Sequence, residues 1–173
     1  PHYNDRSGTV WNTPETIDTY AHPNNNVLEL KLNSQDVPYV LHTAGYTDTV
    51  ASRGNAHVSR RLGESSWDRQ NVYLGSTYGN GGEGSMAIDL ATDAVYVTLS
   101  DDGPMGTSPD GLVYAIWPAD MTVPVLAPTS IHPSPGTDSS WPWLVFTRAG
   151  GGPLAVTTFE LATNQPRAIR IAG

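Results

Sequence analysis

The chain is 173 residues long, 38% hydrophobic and 15% charged, with 17 Gly, 14 Pro and no Cys. A formal net charge of -8 runs against the clustered Lys and Arg that phosphate neutralisation requires, and the missing cysteines exclude disulfides and thiolate metal sites. No apolar run reaches membrane-spanning length, so neither a nucleic-acid partner nor a membrane span is expected, and this turn-rich composition suits one all-β domain rather than a helical bundle or a disordered acidic tail.

In chain order, the first extended stretches are HYND and SGTVWNTPETI, followed by a polar loop and then VLELKLNSQDVPYVLHTA, which reads as a hairpin turning at NSQD. Next come the strands NAHVSRRL and WDRQNVYL, a second polar loop, and the clearest signal in the chain, GSMAIDLATDAVYVTLSDDG over residues 84–103. There Met86, Ile88 and Leu90 alternate with small or polar neighbours, Ala91-Thr92-Asp93 supplies a turn, and Val95, Val97 and Leu99 alternate again. Period-two alternation on both sides of a turn is the mark of a β-hairpin. The strand GLVYAIW and the extended run WPADMTVPVL follow, then a third loop, the hairpin SWPWLVFTRAGGGPLAVTTFEL and a last strand, PRAIRIAG. No segment competes as a helix.

These stretches are one unit repeated. Trp11, Trp67 and Trp117 each open a similar extended run at spacings of 56 and 50 residues, and four short strands per period of this size describe a β-propeller blade. With the strands of a blade labelled a to d, the chain reads (c)d, abcd, abcd, abc. This divides it into a partial blade over 1–20, blades over 21–75 and 76–127, and an incomplete blade over 128–173. The predicted fold is therefore all-β and propeller-type, with about three four-stranded antiparallel blades, fewer than the usual closed ring. Closure is expected from further chain, since the sequence begins at Pro1 with neither an initiator Met nor a signal peptide, or from a second copy in a homodimer.

The passage YNDRSGTVWNTPETI, residues 3–17, resembles the Asp-box of BNR-repeat, sialidase-like propellers, with Asp5, Gly8 and Trp11 matching in type and order. In SRRLGESSWDRQNV, Ser59, Gly63 and Trp67 are kept, but Arg61 stands in place of the Asp, and GLVYAIWPADM keeps little beyond its Trp. The resemblance implies a structural motif, in which Asp5 caps backbone donors of a tight turn and Trp11 packs between blades.

Connection lengths point to a functional face. The a–b and c–d turns are short, whereas DTYAHPNNN, TAGYTDTVASRGN, GSTYGNGGEG, SDDGPMGTSPDG and APTSIHPSPGTDSS are long. In an up-and-down sheet the d–a and b–c loops share one end, and loops on a rigid scaffold are where binding residues concentrate. Tyr20, Tyr46, Tyr78 and Trp141 offer flat apolar surfaces there, and Asn24, Asn26, Asn80, Asp48 and Glu83 offer planar polar ends. Together they suit the stacking and hydrogen bonding of a sugar ring. The expected function is an extracellular glycan-binding, lectin-like module, secreted or displayed on a cell or virion surface.

A catalytic propeller is the alternative. His22, His42 and Tyr46 could supply a base and an acid near the mouth of the ring, with Arg53 on a uronate carboxylate, an arrangement similar to that of BNR-type polysaccharide lyases. A sialidase-type hydrolase would instead recruit Arg53 and Arg148, Tyr78 with Glu83, and Asp101 or Asp102. A purely structural or protein-binding propeller is the third class. Asp101, Asp102 and Asp110 could hold calcium, although their spacing is not that of an EF-hand loop, and no other cofactor is expected.

Overall fold

The structure is a computed structural model and describes residues 2–7, 9–17, 27–44, 55–73, 84–101, 111–130, 139–146, 154–160 and 165–171; of 139–171 the backbone path alone is described. The fold is all-β and antiparallel, and no helix occurs among the described residues. Two four-stranded meanders form its centre. The first runs β5 (Val27–Leu32), β6 (Pro38–Ala44), β7 (Asn55–Gly63) and β8 (Ser66–Tyr73). The second runs β9 (Gly84–Asp89), β10 (Ala94–Asp101), β11 (Gly111–Trp117) and β12 (Leu126–Ser130). A three-stranded sheet of β13 (Ser139–Phe146), β14 (Leu154–Glu160) and β15 (Gln165–Ile171) follows.

Before them, four two-residue strands make one irregular hairpin over 2–16: β1 (His2–Tyr3) pairs with β4 (Glu15–Thr16), and β2 (Arg6–Ser7) pairs with β3 (Val10–Trp11). The Asn12 amide donates to the Asp5 carbonyl at 3.0 Å, which ties the two halves together.

The alternation in 84–103 sets the register expected of it. Met86 lies opposite Val97 and Ile88 opposite Val95, while Val97 and Val95 lie opposite Ala115 and Trp117 on β11. These side chains form one face of the second sheet and share a buried cluster with Tyr39, Leu41, Ala56, Val58 and Val72 of the first. The residues of opposite parity, Ser85, Ala87, Thr98 and Tyr114, are buried as well, and β13 lies across β9, β10 and β11. The second face is thus covered as well, by small and hydroxyl side chains as much as by apolar ones, Thr98 Oγ1 donating to the Val113 carbonyl at 3.1 Å and Ser85 Oγ to Glu29 Oε2 at 2.8 Å. The same spatial relation occurs twice, because β9 lies across β5 and β6 of the first sheet as β13 does across the second.

The two a–b turns are built alike. Asn33 Oδ1 accepts from the Gln35 amide at 3.0 Å, and Asp89 Oδ1 accepts from the Ala91 amide at 3.0 Å. Each turn closes on an aspartate with positive φ, Asp36 at 59° and Asp93 at 57°. Side chains that fold back on their own backbone, followed by a residue tolerant of the left-handed region, are the expected turn chemistry.

Strand d of the second sheet departs from expectation. The sequence places it directly after Trp117, but Trp117 ends β11 and β12 begins only at Leu126, running past residue 127 to Ser130. Pro118 opens a turn closed by the Met121 amide on the Pro118 carbonyl at 2.9 Å. Met121, at φ 58°, spends its side chain in the core rather than on a strand face, where it is wholly buried.

Candidate functional site

Two ends of the sheets must be distinguished. At the turn end, Asp93 of the second sheet accepts from the Ser34 amide at 2.8 Å, Ser34 Oγ at 2.9 Å and Asn33 Nδ2 at 3.3 Å. Nearby, the Ala119 carbonyl accepts from Tyr39 Oη at 2.6 Å and Arg60 Nη1 at 3.0 Å. These bonds join the a–b turns of neighbouring sheets and fasten the c–d turn of one to the strands of the other. Because the strands are antiparallel, the opposite end is where β6, β8 and β10 finish and where β7, β9 and β11 begin. The b–c and d–a connections of both sheets therefore leave from one common end.

The sequence-derived candidates fall largely on those connections. Tyr20, His22, Asn24, Asn26, Tyr46, Asp48, Arg53, Tyr78, Asn80, Glu83, Asp102, Asp110 and Arg148 lie outside the described residues. Asp101 ends β10 and Trp141 lies within β13, where only the backbone is described. His42 alone has a described side chain. It sits on β6, wholly buried, shares a 2.9 Å hydrogen bond with Ser59 Oγ through Nε2 and stacks on His57 at a ring separation of 5.5 Å. That is an interior position in the sheet, not an open loop. Among the described residues no group of three or more His, Asp or Glu is placed to hold a metal ion.

The described residues also present a polar cleft that sequence reasoning missed. It has a volume of about 470 Å³ and is lined by Asp5, Asn12, Thr13, Pro14 and Glu15 of the N-terminal hairpin and by Arg61, Glu64 and Ser65 at the β7–β8 turn. It therefore opens at the turn end, away from the long connections.

Arg61 is the centre of this cleft. Its Nε donates to Glu15 Oε2 at 3.1 Å, its Nη2 contacts Glu15 Oε1, and its Nη1 donates to Asp5 Oδ2 at 3.3 Å. The guanidinium lies over the Tyr3 ring at 5.3 Å, and Tyr3 meets Trp67 edge-on at 5.2 Å. Trp67 Nε1 donates to Glu15 Oε2 at 3.0 Å, and Asn12 Nδ2 donates to Asp5 Oδ1 at 2.7 Å. The Arg61 hydrogen bond holds the Glu15 carboxyl below the usual carboxylate range, with smaller help from Ser65 and Trp67, and Glu15 in turn raises Arg61. A bidentate Arg–carboxylate pair of this kind stays ionised at neutral pH and is suited to holding position rather than to proton transfer.

The expectation for the motif around Asp5 and Trp11 is corrected at Trp11. Among the described residues the Asp5 carboxylate accepts from two side chains, Asn12 and Arg61. Trp11 is 64% exposed instead of packed between sheets. Its partner in register is Arg6, so it belongs to the face of the hairpin opposite Asp5 and Asn12, away from the cleft. The one signal that could have exposed this cluster is positional: Asp5 and Arg61, of opposite charge, each stand six residues before a Trp.

No helix among the described residues is long and apolar enough to cross a membrane. Comparison of the chain with protein-family models, curated proteins and solved structures finds no match.

Proposed function

We propose that this chain is a propeller-type glycan-binding module whose ligand is held at the end of the sheets carrying the long connections. One observation supports the reading. The turn ends of the first two sheets are fastened together through Asp93 and Ala119, so all of the long connections of those sheets start from one joined frame. Their residue types are those of a sugar site, aromatic planes with amide and carboxylate ends. In this reading the repeated packing relation between successive sheets continues around a ring, which further chain or a second copy closes.

The test is a glycan-array screen of the full chain, followed by titration of the best hit against Tyr46→Ala, Tyr78→Ala and Trp141→Ala. Loss of one stacking platform is expected to weaken binding about tenfold, the equivalent of about 1.4 kcal/mol. A folded chain that binds no glycan on the array, or a hit indifferent to all three substitutions, overturns the reading. Light scattering on the same sample separates closure by a second copy from a monomer.

A further inference from the structure

The 2–16 hairpin is attached differently from the rest of the molecule. None of its residues belongs to the apolar cluster that unites the first two sheets, and Asn4, Thr9, Val10, Trp11, Asn12, Thr13, Pro14 and Thr16 are exposed. Its described side-chain contacts with the first sheet converge on Arg61, Trp67 and the Ser65 backbone: two carboxylates on one guanidinium, an indole N–H and the Ser65 backbone on the Glu15 carboxylate, and Tyr3 against the guanidinium and the indole. The polar cleft brings solvent to this cluster, and the Arg61 and Asp5 side chains retain 22% and 33% exposure. An isolated two-stranded hairpin is marginal in water. Its order therefore rests on its seat.

We propose that the 2–16 hairpin is a detachable element, latched to the first sheet by Arg61 and released when Glu15 is protonated, while the two four-stranded sheets remain folded. The charged and titratable groups facing the latch are Asp5, Glu15 and Tyr3 on the hairpin and Arg61 and Glu64 on the sheet. At neutral pH the three carboxylates outnumber the guanidinium, and Glu15, gripped at both oxygens, is the principal tie. A carboxyl depressed in the folded state stabilises above its unfolded pKa of about 4.3, and that stabilisation is lost as pH falls through the lower folded value. Release therefore belongs to the acid side of about pH 4, and added salt moves it upward by weakening the partly exposed pairs.

The experiment is hydrogen–deuterium exchange on the full chain, comparing protection factors of peptides from 2–16 and from 84–101 between pH 7 and pH 3. The expected result is that hairpin protection falls at least tenfold below about pH 4 while 84–101 stays protected. Glu15→Gln and Arg61→Met bring the same loss at pH 7, Asp5→Asn brings a smaller one, and Glu64→Gln leaves protection unchanged. Near-UV circular dichroism reports whether the sheets persist. If hairpin and sheets lose protection together in wild type and in Glu15→Gln, the hairpin belongs to the cooperative core and the proposal fails. It fails equally if the hairpin is unprotected at pH 7, or if Glu64→Gln matches Glu15→Gln.

Discussion

Gly84 shows how tightly the first strand of the second sheet is seated. A Cβ built there would lie 2.6 Å from Leu99 Cδ2, 3.0 Å from the Thr98 carbonyl and 3.1 Å from Leu28 Cδ1. Two of these neighbours are side chains of the shared interior, on different sheets, and the third is backbone that cannot yield. Gly84→Ala is therefore expected to cost about 1–3 kcal/mol, read as a lower urea midpoint at unchanged slope. Met121 makes the opposite case: a long side chain accepts a left-handed backbone because the core takes it in entirely. Neither requirement is visible in the sequence. Gly84 sits in a glycine-rich loop-to-strand passage where any glycine reads as a turn residue, and Met121 reads as one more apolar position of a strand.

Elements were more legible than residues, and for a definite reason. Met86, Ile88, Val95, Val97 and Leu99 report their own pairing because side chains alternate with period two and one face must be dry. The same logic located β5 to β8 and the hairpins of the last sheet. It failed at β12, where Pro118 stops the strand and the turn swallows Met121, and the apolar Val123 and Val125 that suggested a strand are exposed. What no local pattern carries is contact between one sheet and the next. Asp93 is legible as a turn residue, but its three bonds to Asn33 and Ser34 join positions about sixty residues apart. Asp93→Ala should thus cost about 1–3 kcal/mol, more than an isolated turn substitution, because Ser34 and Asn33 lose their acceptor together. Equilibrium denaturation with Thr92→Ala, whose hydroxyl bonds to Asp89 and Ala94 of its own turn, provides the comparison. The glycan candidates other than Trp141 lie on connections whose sequences signal polarity and aromatic content but not shape, so their residue types were readable and their arrangement was not.

At the scale of the whole molecule, the shared cluster makes the first two sheets one thermodynamic body. Leu41 and Met86, each wholly buried on a different sheet, face the same interior. Leu41→Ala and Met86→Ala are each expected to cost about 2–5 kcal/mol and to lower one common transition. A calorimetric scan that resolves two transitions in either variant would contradict a shared interior. The Arg61 latch has a consequence of a different kind. Asp5, Arg61 and Gly111 stand six residues before Trp11, Trp67 and Trp117, and the first two, of opposite charge, meet in the ion pair. That contact is directional: reversing the charge of either partner alone would set like charges together, whereas exchanging the two restores an attraction.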